Sequence, residues 1–254
     1  MYVFKHLGWH TVKLVNAILL FFIFLGHICH STKDFLLQRL TISWLNVVKI
    51  LYYSGARLVM PLAIISALIG MSLSLTTYHI FARLNLQHKA LPISQDILTQ
   101  DILPLLIGFV LCVQASLSVI TARIKITIQG HTPEEVVLEY ILPIIIGIDI
   151  TALLLYTYTV IALFISLFFT FHFILNISSA VFLLEIKPTT TLFNLFYSAT
   201  KTLLYGSIVS LTAGYYYYQV AVSQLSVRKA VSRILTRGSL WLTISSVCWK
   251  FMTF

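Results

Sequence analysis

The ionisable and nucleophilic side chains of this 254-residue chain are sparse, and their spacing matches no familiar catalytic or metal-binding motif. His27 and His30 form an H-x-x-H pair, but metal ligands on a helix usually lie four residues apart with a carboxylate nearby. No G-x-S-x-G nucleophile elbow occurs, and the eight acidic residues never pair within an apolar run. We therefore expect no catalytic residue, no metal and no cofactor.

Phosphate chemistry is also missing from the sequence. A P-loop needs two glycines five residues apart, followed by Lys and then Ser or Thr. No two of the ten glycines have that separation. We therefore expect that the chain is not an ATPase and that any ATP hydrolysis belongs to another subunit.

Two ionisable residues, Asp149 and Lys201, lie inside long apolar runs. Such residues cost about 2.5–3.5 kcal/mol each in a membrane helix, so they usually face a partner or a cavity. Three interpretations are open from the sequence. Asp149 and Lys201 pair with each other, Lys201 extends to the membrane surface, or the two hold a lipid headgroup.

The elements that position these residues follow from the composition. Hydrophobic residues make up 59% of the chain, charged residues 10%, and the mean hydropathy is +0.93. In soluble domains about 45–50% of residues are hydrophobic and about 25% are charged, so a water-exposed surface cannot be built from this chain. The net charge of +9 is scattered between apolar runs, which favours membrane topology over nucleic-acid binding.

Uncharged runs long enough to cross a bilayer recur along the sequence. A spanning helix needs about 20 mostly apolar residues, because the hydrocarbon core is about 30 Å thick. The sequence predicts an all-α integral membrane protein with an amino-terminal interfacial helix at 14–29 and five transmembrane helices at 59–78, 102–122, 141–170, 192–218 and 231–249. We also expect a hydrated segment at 83–101 and a short outer helix between Asn176 and Pro188.

The distribution of Lys and Arg predicts the orientation. With a cytoplasmic amino terminus, segments 1–57, 123–139 and 219–237 lie inside and contain 12 of the 17 cations, against 5 elsewhere. The positive-inside rule favours this arrangement. The sequence thus predicts a multi-pass protein with a cytoplasmic amino terminus.

Short segments in order along almost the whole chain resemble one family of membrane proteins. They are 7–10 (LGWH), 48–57 (VKILYYSGAR) through Pro61, 67–73 (ALIGMSL), 98–104 (LTQDILP), 198–206 (SATKTLLYG), 214–216 (GYY) and 227–233 (VRKAVSR). The family is that of the MlaE/YrbE-type permeases, the membrane subunits of ABC lipid transporters that work with MCE-domain proteins. The resemblance implies one permease domain over 1–254, with an amino-terminal elbow at 1–57 and a five-span core at 58–254.

The resemblance also implies partners and a location. Two identical copies pair about a two-fold axis in the bacterial inner membrane, beneath a periplasmic ring of the MCE-domain protein. A cytoplasmic ABC ATPase supplies the energy, and the permease moves phospholipid or a related lipid between the inner membrane and the MCE partner.

The family's ATPase-coupling helix lies in the loop between the second and third spans. Its residues here are Pro133, Glu134, Glu135 and Glu139. The local sequence suits a helix start, since Thr132 can cap, Pro fits the first turn and glutamates favour the helix amino terminus. A solvated loop helix without a partner is the alternative.

The resemblance places lipid in an apolar cavity at the seam between the two copies. Candidate residues for this cavity or seam are Ala67, Gly70, Met71, Asp101, Asp149 and Lys201. Small residues in the first span allow close helix approach, either at this seam or against spans of the same chain. The chain departs from the family where an Arg-Glu pair is replaced by Gln100 and Asp101, a difference that concerns coupling and substrate.

Two other classes of protein compete with a transporter subunit: a membrane scaffold that transports nothing, and a membrane-embedded enzyme acting on lipids. The enzyme would need His, Asp or Ser groups that converge at one membrane depth, and the histidines are scattered along the sequence. A purified transporter subunit should carry phospholipid and an ATPase, whereas a scaffold should carry neither.

Overall fold

The computed structural model describes residues 19, 22–30, 33, 47–48, 51–129, 141–222 and 225–253, with side chains left out at 53–54, 120–129, 221–222 and 253. Within these ranges the chain is almost entirely helical and no β-strand occurs. The predicted all-α class is confirmed. A helix satisfies its backbone hydrogen bonds within one segment, which is what a membrane demands.

Among the described residues, seven α-helices follow one another from residue 57 onward. They are α1 (Arg57–Arg83), α2 (Ala90–Ile97), α3 (Leu103–Gln129), α4 (Leu142–Phe169), α5 (Ser179–Ile186), α6 (Leu192–Val222) and α7 (Val227–Thr253). Three π-helical turns continue them: Leu51–Ala56 before α1, Leu98–Ile102 between α2 and α3, and Thr170–Ile174 after α4. Five of the seven helices are therefore long, and α2 and α5 are short.

Helices α1 and α4 run side by side in the same direction. A Cβ added at Gly55 would lie 3.3 Å from Thr151, and one added at Gly70 would lie 3.4 Å from Ser166. Residue numbers therefore rise together along the two helices. The chain enters both helices at the same end of the bundle.

Helices α3 and α6 also run parallel to each other, but opposite to α4. The Lys201 ammonium lies 2.9 Å from Asp101, and the Tyr217 hydroxyl donates to Ser118 at 2.6 Å. These pairs make residue numbers rise together along α3 and α6. Against α4 they run in opposite order, because Gly206 of α6 packs beside Ala152 while later α6 residues approach the start of α4.

Helix α7 packs against α3 and α6 and reverses direction again. The Cys112 thiol donates to the Ile234 carbonyl at 3.3 Å, and a Cβ at Gly108 would lie 3.1 Å from Leu242. Residue numbers fall along α3 as they rise along α7, so these two helices are antiparallel. The five long helices thus alternate in direction along the chain, as successive spans of a bundle must.

Asparagines end two of the helical segments. Asn85 follows α1 with φ of 56°, and Asn176 follows the turn after α4 with φ of 54°. Asparagine tolerates this left-handed conformation better than most residues. After α1, the Leu86 amide bonds to Phe81 and the Asn85 amide to Ala82, which is the double hydrogen bond of a Schellman motif.

Three helical stretches of the described residues are long and apolar enough to cross a membrane: Arg57–Arg83, Gln87–Val119 and Leu142–Ile174. They correspond to the first three predicted spans. Helices α6 and α7 have the length of a span, and the full count of five spans with an interfacial helix stays a prediction.

Two smaller predictions had different outcomes. The predicted short helix between Asn176 and Pro188 is confirmed as α5, and its outer location stays a prediction. The hydrated segment at 83–101 was wrong in its second half, because α2 begins at Ala90 and buries Ser94 and Gln95. Their polar groups are satisfied, since the Ser94 hydroxyl donates to the Ala90 carbonyl and Gln95 accepts a hydrogen bond from Thr189. The polar residues of this segment therefore lie partly inside the protein rather than in water.

Candidate functional site

A cluster of charged side chains lies where the π-helical turn before α3, the first third of α6 and the last turn of α7 meet. Lys201 of α6 is only 1% exposed. Its Nζ lies 2.9 Å from Asp101 Oδ1 and donates to the Gln100 carbonyl at 2.9 Å. A buried cation is tolerated only when it is paired and hydrogen-bonded, and Lys201 meets both conditions.

The same carboxylate holds a second lysine. Lys250 Nζ of α7 lies 2.5 Å from Asp101 Oδ2. The Lys250 side chain is 53% exposed and the Lys201 side chain is buried, so only Lys250 is accessible from outside the bundle. Asp101 thereby bridges α6 and α7, and we call Asp101, Lys201 and Lys250 the Asp101 cluster.

The π-helical turn Leu98–Ile102 provides the backbone carbonyls that accept hydrogen bonds from α6. A π-turn widens the helix and changes which carbonyls are taken by the helix's own amides, and such turns are frequent at functional sites. The Thr99 carbonyl accepts the Ser198 hydroxyl and the Gln100 carbonyl accepts Lys201, both from α6. The turn therefore offers backbone acceptors sideways to α6.

Polar and aromatic groups surround the Asp101 cluster. The Gln100 side-chain amide donates to Asp96, one turn earlier. On the other side, the Trp249 indole N–H donates to the Tyr197 hydroxyl, so the residue beside Lys250 is tied to α6 as well. The end of α7 is thus fixed by two polar contacts.

The predicted pair between Asp149 and Lys201 was wrong. Asp149 Oδ1 accepts a hydrogen bond from the Ser210 hydroxyl at 3.3 Å. Ser210 lies nine residues after Lys201, which is about half a turn around the helix axis at about 100° per residue. Lys201 therefore faces α3, while Ser210 faces α4 and Asp149. The sequence predicts that both groups lie within the membrane. It does not predict which side of α6 each one contacts.

The small residues of the first span pack within the chain. The Ser66 hydroxyl donates to the Thr159 carbonyl at 3.2 Å, and the Ser166 hydroxyl donates to the Ala67 carbonyl at 2.6 Å. Gly70 is buried against Ser166 in the same seam. Of the two alternatives open from the sequence, the structure shows close packing against α4 of the same chain.

A shallow apolar groove of about 420 Å³ runs along another side of α1. It is lined by Leu68, Ile69, Ser72, Leu73 and Thr76. Met71 of the predicted seam is half-buried.

Some predicted sites cannot be placed in this bundle. The coupling residues Pro133, Glu134, Glu135 and Glu139 lie outside the described residues. Within the ranges that are described, no three His, Cys, Asp or Glu side chains could hold a metal together. On the short outer helix, burial raises the pKa of Glu185, and the nearby His88 opposes that rise.

Lys250 is the site residue that the sequence reasoning missed. In the sequence it follows directly after the last predicted span. A signal was present for Asp101 and Lys250, because Asp101 directly precedes the span 102–122 and Lys250 directly follows the span 231–249, which places both at the same side of the predicted bundle. Equal depth in neighbouring helices makes charge pairing favourable, although it does not say which helices are neighbours.

Comparison with known proteins adds one finding. A family model described as Permease MlaE matches residues 47–252, which is more than half of the chain and includes the Asp101 cluster. No curated protein matches the sequence.

Proposed function

Because this chain belongs to the MlaE permease family, we propose that it is the membrane subunit of an ABC transporter that moves phospholipid or a related lipid between the inner membrane and a periplasmic MCE-domain protein. The family match over 47–252 is the observation that carries the proposal. The bundle of long apolar helices supports it, since a permease must provide a path through the bilayer.

In this proposal the lipid contacts α1 on the side of its groove. The groove is apolar and open, so it suits acyl chains, whereas Gly70 and Ser66 serve the packing of α1 against α4. Met71 lies between these two sides and is our candidate for contact with lipid or with a second copy.

The Asp101 cluster is the proposed polar end of that path. Lys250 can reach a headgroup because it is half exposed, whereas Lys201 is buried and acts by holding Asp101 in place. Asp149 lies on the other side of α6, so we assign it to the contact between α4 and α6 rather than to lipid.

The proposed assembly has two identical copies, a cytoplasmic ABC ATPase and the MCE-domain protein. The ATPase would dock on the segment 133–139, where Glu134 and Glu135 offer negative charge to a basic groove. This places the amino terminus and that segment in the cytoplasm, and the Asp101 cluster toward the periplasm.

The proposal is tested by reconstitution of the full chain with its ATPase and MCE-domain partners. We expect ATP-dependent transfer of labelled phospholipid to the MCE protein, and no ATP hydrolysis by the chain alone. ATP hydrolysis by the pure chain would contradict the proposal. Absence of both phospholipid and ATPase from the purified complex would instead indicate a scaffold.

Charge reversal tests the docking segment separately. The E134K/E135K variant should lose the ATPase on purification, because like charges opposed across an interface cost several kcal/mol. Its membrane abundance should stay normal. The matched control is E185K on α5, which reverses a charge at the other end of the bundle and should retain the ATPase.

A further inference from the structure

One exposed face of α7 changes character along its length. Lys229, Arg233 and Arg237 are followed on the same face by Leu240, Ile244 and Val247, with successive members three or four residues apart. Arg233 is half-buried, and the other five are exposed. The opposite side of α7, with Ala230, Ile234, Gly238 and Leu242, is buried against α3 and α6. We call the exposed side the α7 face.

The three cations of the α7 face have no acidic partner within the part of the chain that the structure describes. Among the described residues, no carboxylate forms an ion pair with Lys229, Arg233 or Arg237. Like charges four residues apart on a helix repel each other. The Arg237 guanidinium lies 6.0 Å from the centre of the Tyr216 ring, which partly offsets this repulsion but supplies no counter-charge. The counter-charge must therefore come from outside the described bundle.

The cations lie in the first three turns of α7, directly after the connection between α6 and α7. Tyr216, beside Arg237, belongs to the run of four tyrosines at 215–218, and Tyr216, Tyr217 and Tyr218 are buried in the bundle. At this level Tyr217 bonds to Ser118 of α3. Ser118 is 17 residues from Asp101, or about 25 Å at a rise of about 1.5 Å per residue. That distance is close to the hydrocarbon thickness of about 30 Å, so the tyrosine run lies almost one hydrocarbon thickness from the Asp101 cluster.

The apolar part of the α7 face has the depth of one leaflet. From Leu240 to Val247 the helix rises about 10 Å, which lies within half of a hydrocarbon core of about 30 Å. Leu240, Ile244 and Val247 are all exposed. The α7 face is thus cationic at headgroup depth and apolar at acyl-chain depth.

We propose that the α7 face binds one anionic phospholipid of the leaflet at the amino-terminal end of α7. Arg233 and Arg237 hold its phosphate, because guanidinium groups bind phosphate through paired hydrogen bonds. The acyl chains lie along Leu240, Ile244 and Val247. The inference needs only that α7 is embedded in the membrane beside α3, and it holds whether or not the chain transports lipid.

Other occupants match the α7 face less well. A soluble acidic protein would meet the cations but leave the apolar half uncovered. A second copy related by a two-fold axis along the membrane normal would place the same cations opposite each other, and opposed like charges disfavour an interface. An anionic lipid alone supplies negative charge at one depth and hydrocarbon at the next.

Lipid retention by the purified full chain tests the proposal. The chain is incubated with phosphatidylglycerol or phosphatidylcholine, and bound lipid per chain is counted by native mass spectrometry. We expect preferential retention of phosphatidylglycerol and at least a tenfold loss in R233Q/R237Q. R228Q is the matched control, because Arg228 is exposed but lies nine residues before Arg237, about half a turn around the helix axis from it, and it should behave as wild type.

A second variant covers the case in which R233Q/R237Q does not accumulate. R233K/R237K retains both charges and should retain most of the phosphatidylglycerol. On the unaltered chain, phosphatidylglycerol with brominated acyl chains should quench tryptophan fluorescence more than brominated phosphatidylcholine. This difference should vanish in W241F, because Trp241 is exposed beside Leu240.

Four results would overturn the proposal. They are unchanged phosphatidylglycerol retention in R233Q/R237Q, an equal loss in R228Q, displacement of the lipid by millimolar inorganic phosphate, and dissociation of a dimer in R233Q/R237Q without loss of lipid. The second would indicate a general positive field, the third a site for free phosphate, and the fourth a face covered by a second copy.

Discussion

At the scale of single residues, Asp101 joins two lysines whose environments differ. Its Oδ1 pairs with buried Lys201 and its Oδ2 with half-exposed Lys250. Buried pairs are costly to break from one side, because the remaining charge is left without compensation. Exposed pairs contribute about 0–1 kcal/mol. The two halves of the Asp101 cluster should therefore contribute unequally to stability.

Asp101→Asn should lower the free energy of unfolding by about 3–5 kcal/mol, because it leaves Lys201 buried without a carboxylate. Lys250→Gln should lower it by no more than about 1 kcal/mol. D101L/K201M should recover most of the loss, since it removes both charges. Denaturant unfolding of the purified chain measures all three, and a D101N variant as stable as wild type would contradict the pairing.

At the scale of elements, close contact between α4 and α6 depends on a glycine. A Cβ added at Gly206 would lie 2.9 Å from the Ala152 Cβ, which is closer than real Cβ atoms approach each other. Both helices present backbone at this point, and small residues allow such approach in membrane proteins. The contact lies between Asp149 and Lys201, so it also sets the distance at which α6 passes α4.

Gly206→Ala should therefore destabilise the bundle by about 1–3 kcal/mol through overpacking. A152G/G206A should recover part of that loss by moving the methyl group to the other helix. The control is Gly26→Ala, because a Cβ at Gly26 meets nothing within 4 Å. Thermal unfolding in detergent compares the three, and equal melting temperatures for G206A and G26A would disprove the close contact.

At the scale of the whole molecule, two polar layers and alternating helices define an orientation. The Asp101 cluster joins the π-helical turn before α3 to the last turn of α7, and the tyrosine run at 215–218 lies in the last third of α6. The 12 to 5 distribution of Lys and Arg predicts that the end of α6 that carries the tyrosine run faces the cytoplasm. His88 and Ser226 are exposed and lie beyond opposite ends of the long helices.

Single cysteines at these two positions, in a chain without Cys29, Cys112 and Cys248, should report the orientation. An impermeant thiol reagent added to cells with a permeable outer membrane should label H88C but not S226C. After lysis both should react, which is the internal control for accessibility. Labelling of S226C alone before lysis would invert the orientation and move the Asp101 cluster to the cytoplasmic side.

Much of the architecture follows from the sequence. Apolar runs determine that the chain forms long helices, because backbone polar groups must bond internally where water is absent. The first three predicted spans, the short helix α5 and the family all agree with later findings. Asparagines at 85 and 176 mark where the chain leaves its helices, since few other residues adopt a positive φ.

Only the tertiary structure decided which residues meet. Position along a helix sets the membrane depth of Lys201, because each residue adds about 1.5 Å. It does not set which neighbouring helix Lys201 faces. Asp149 lies against the side of α6 about half a turn around the helix axis from Lys201. Lys201 pairs instead with Asp101, which also pairs with Lys250. The small residues of α1 face α4 for the same reason, and α2 is helical although its sequence is polar. Rotation about the helix axis is fixed by the packing of the whole bundle, which no local pattern contains.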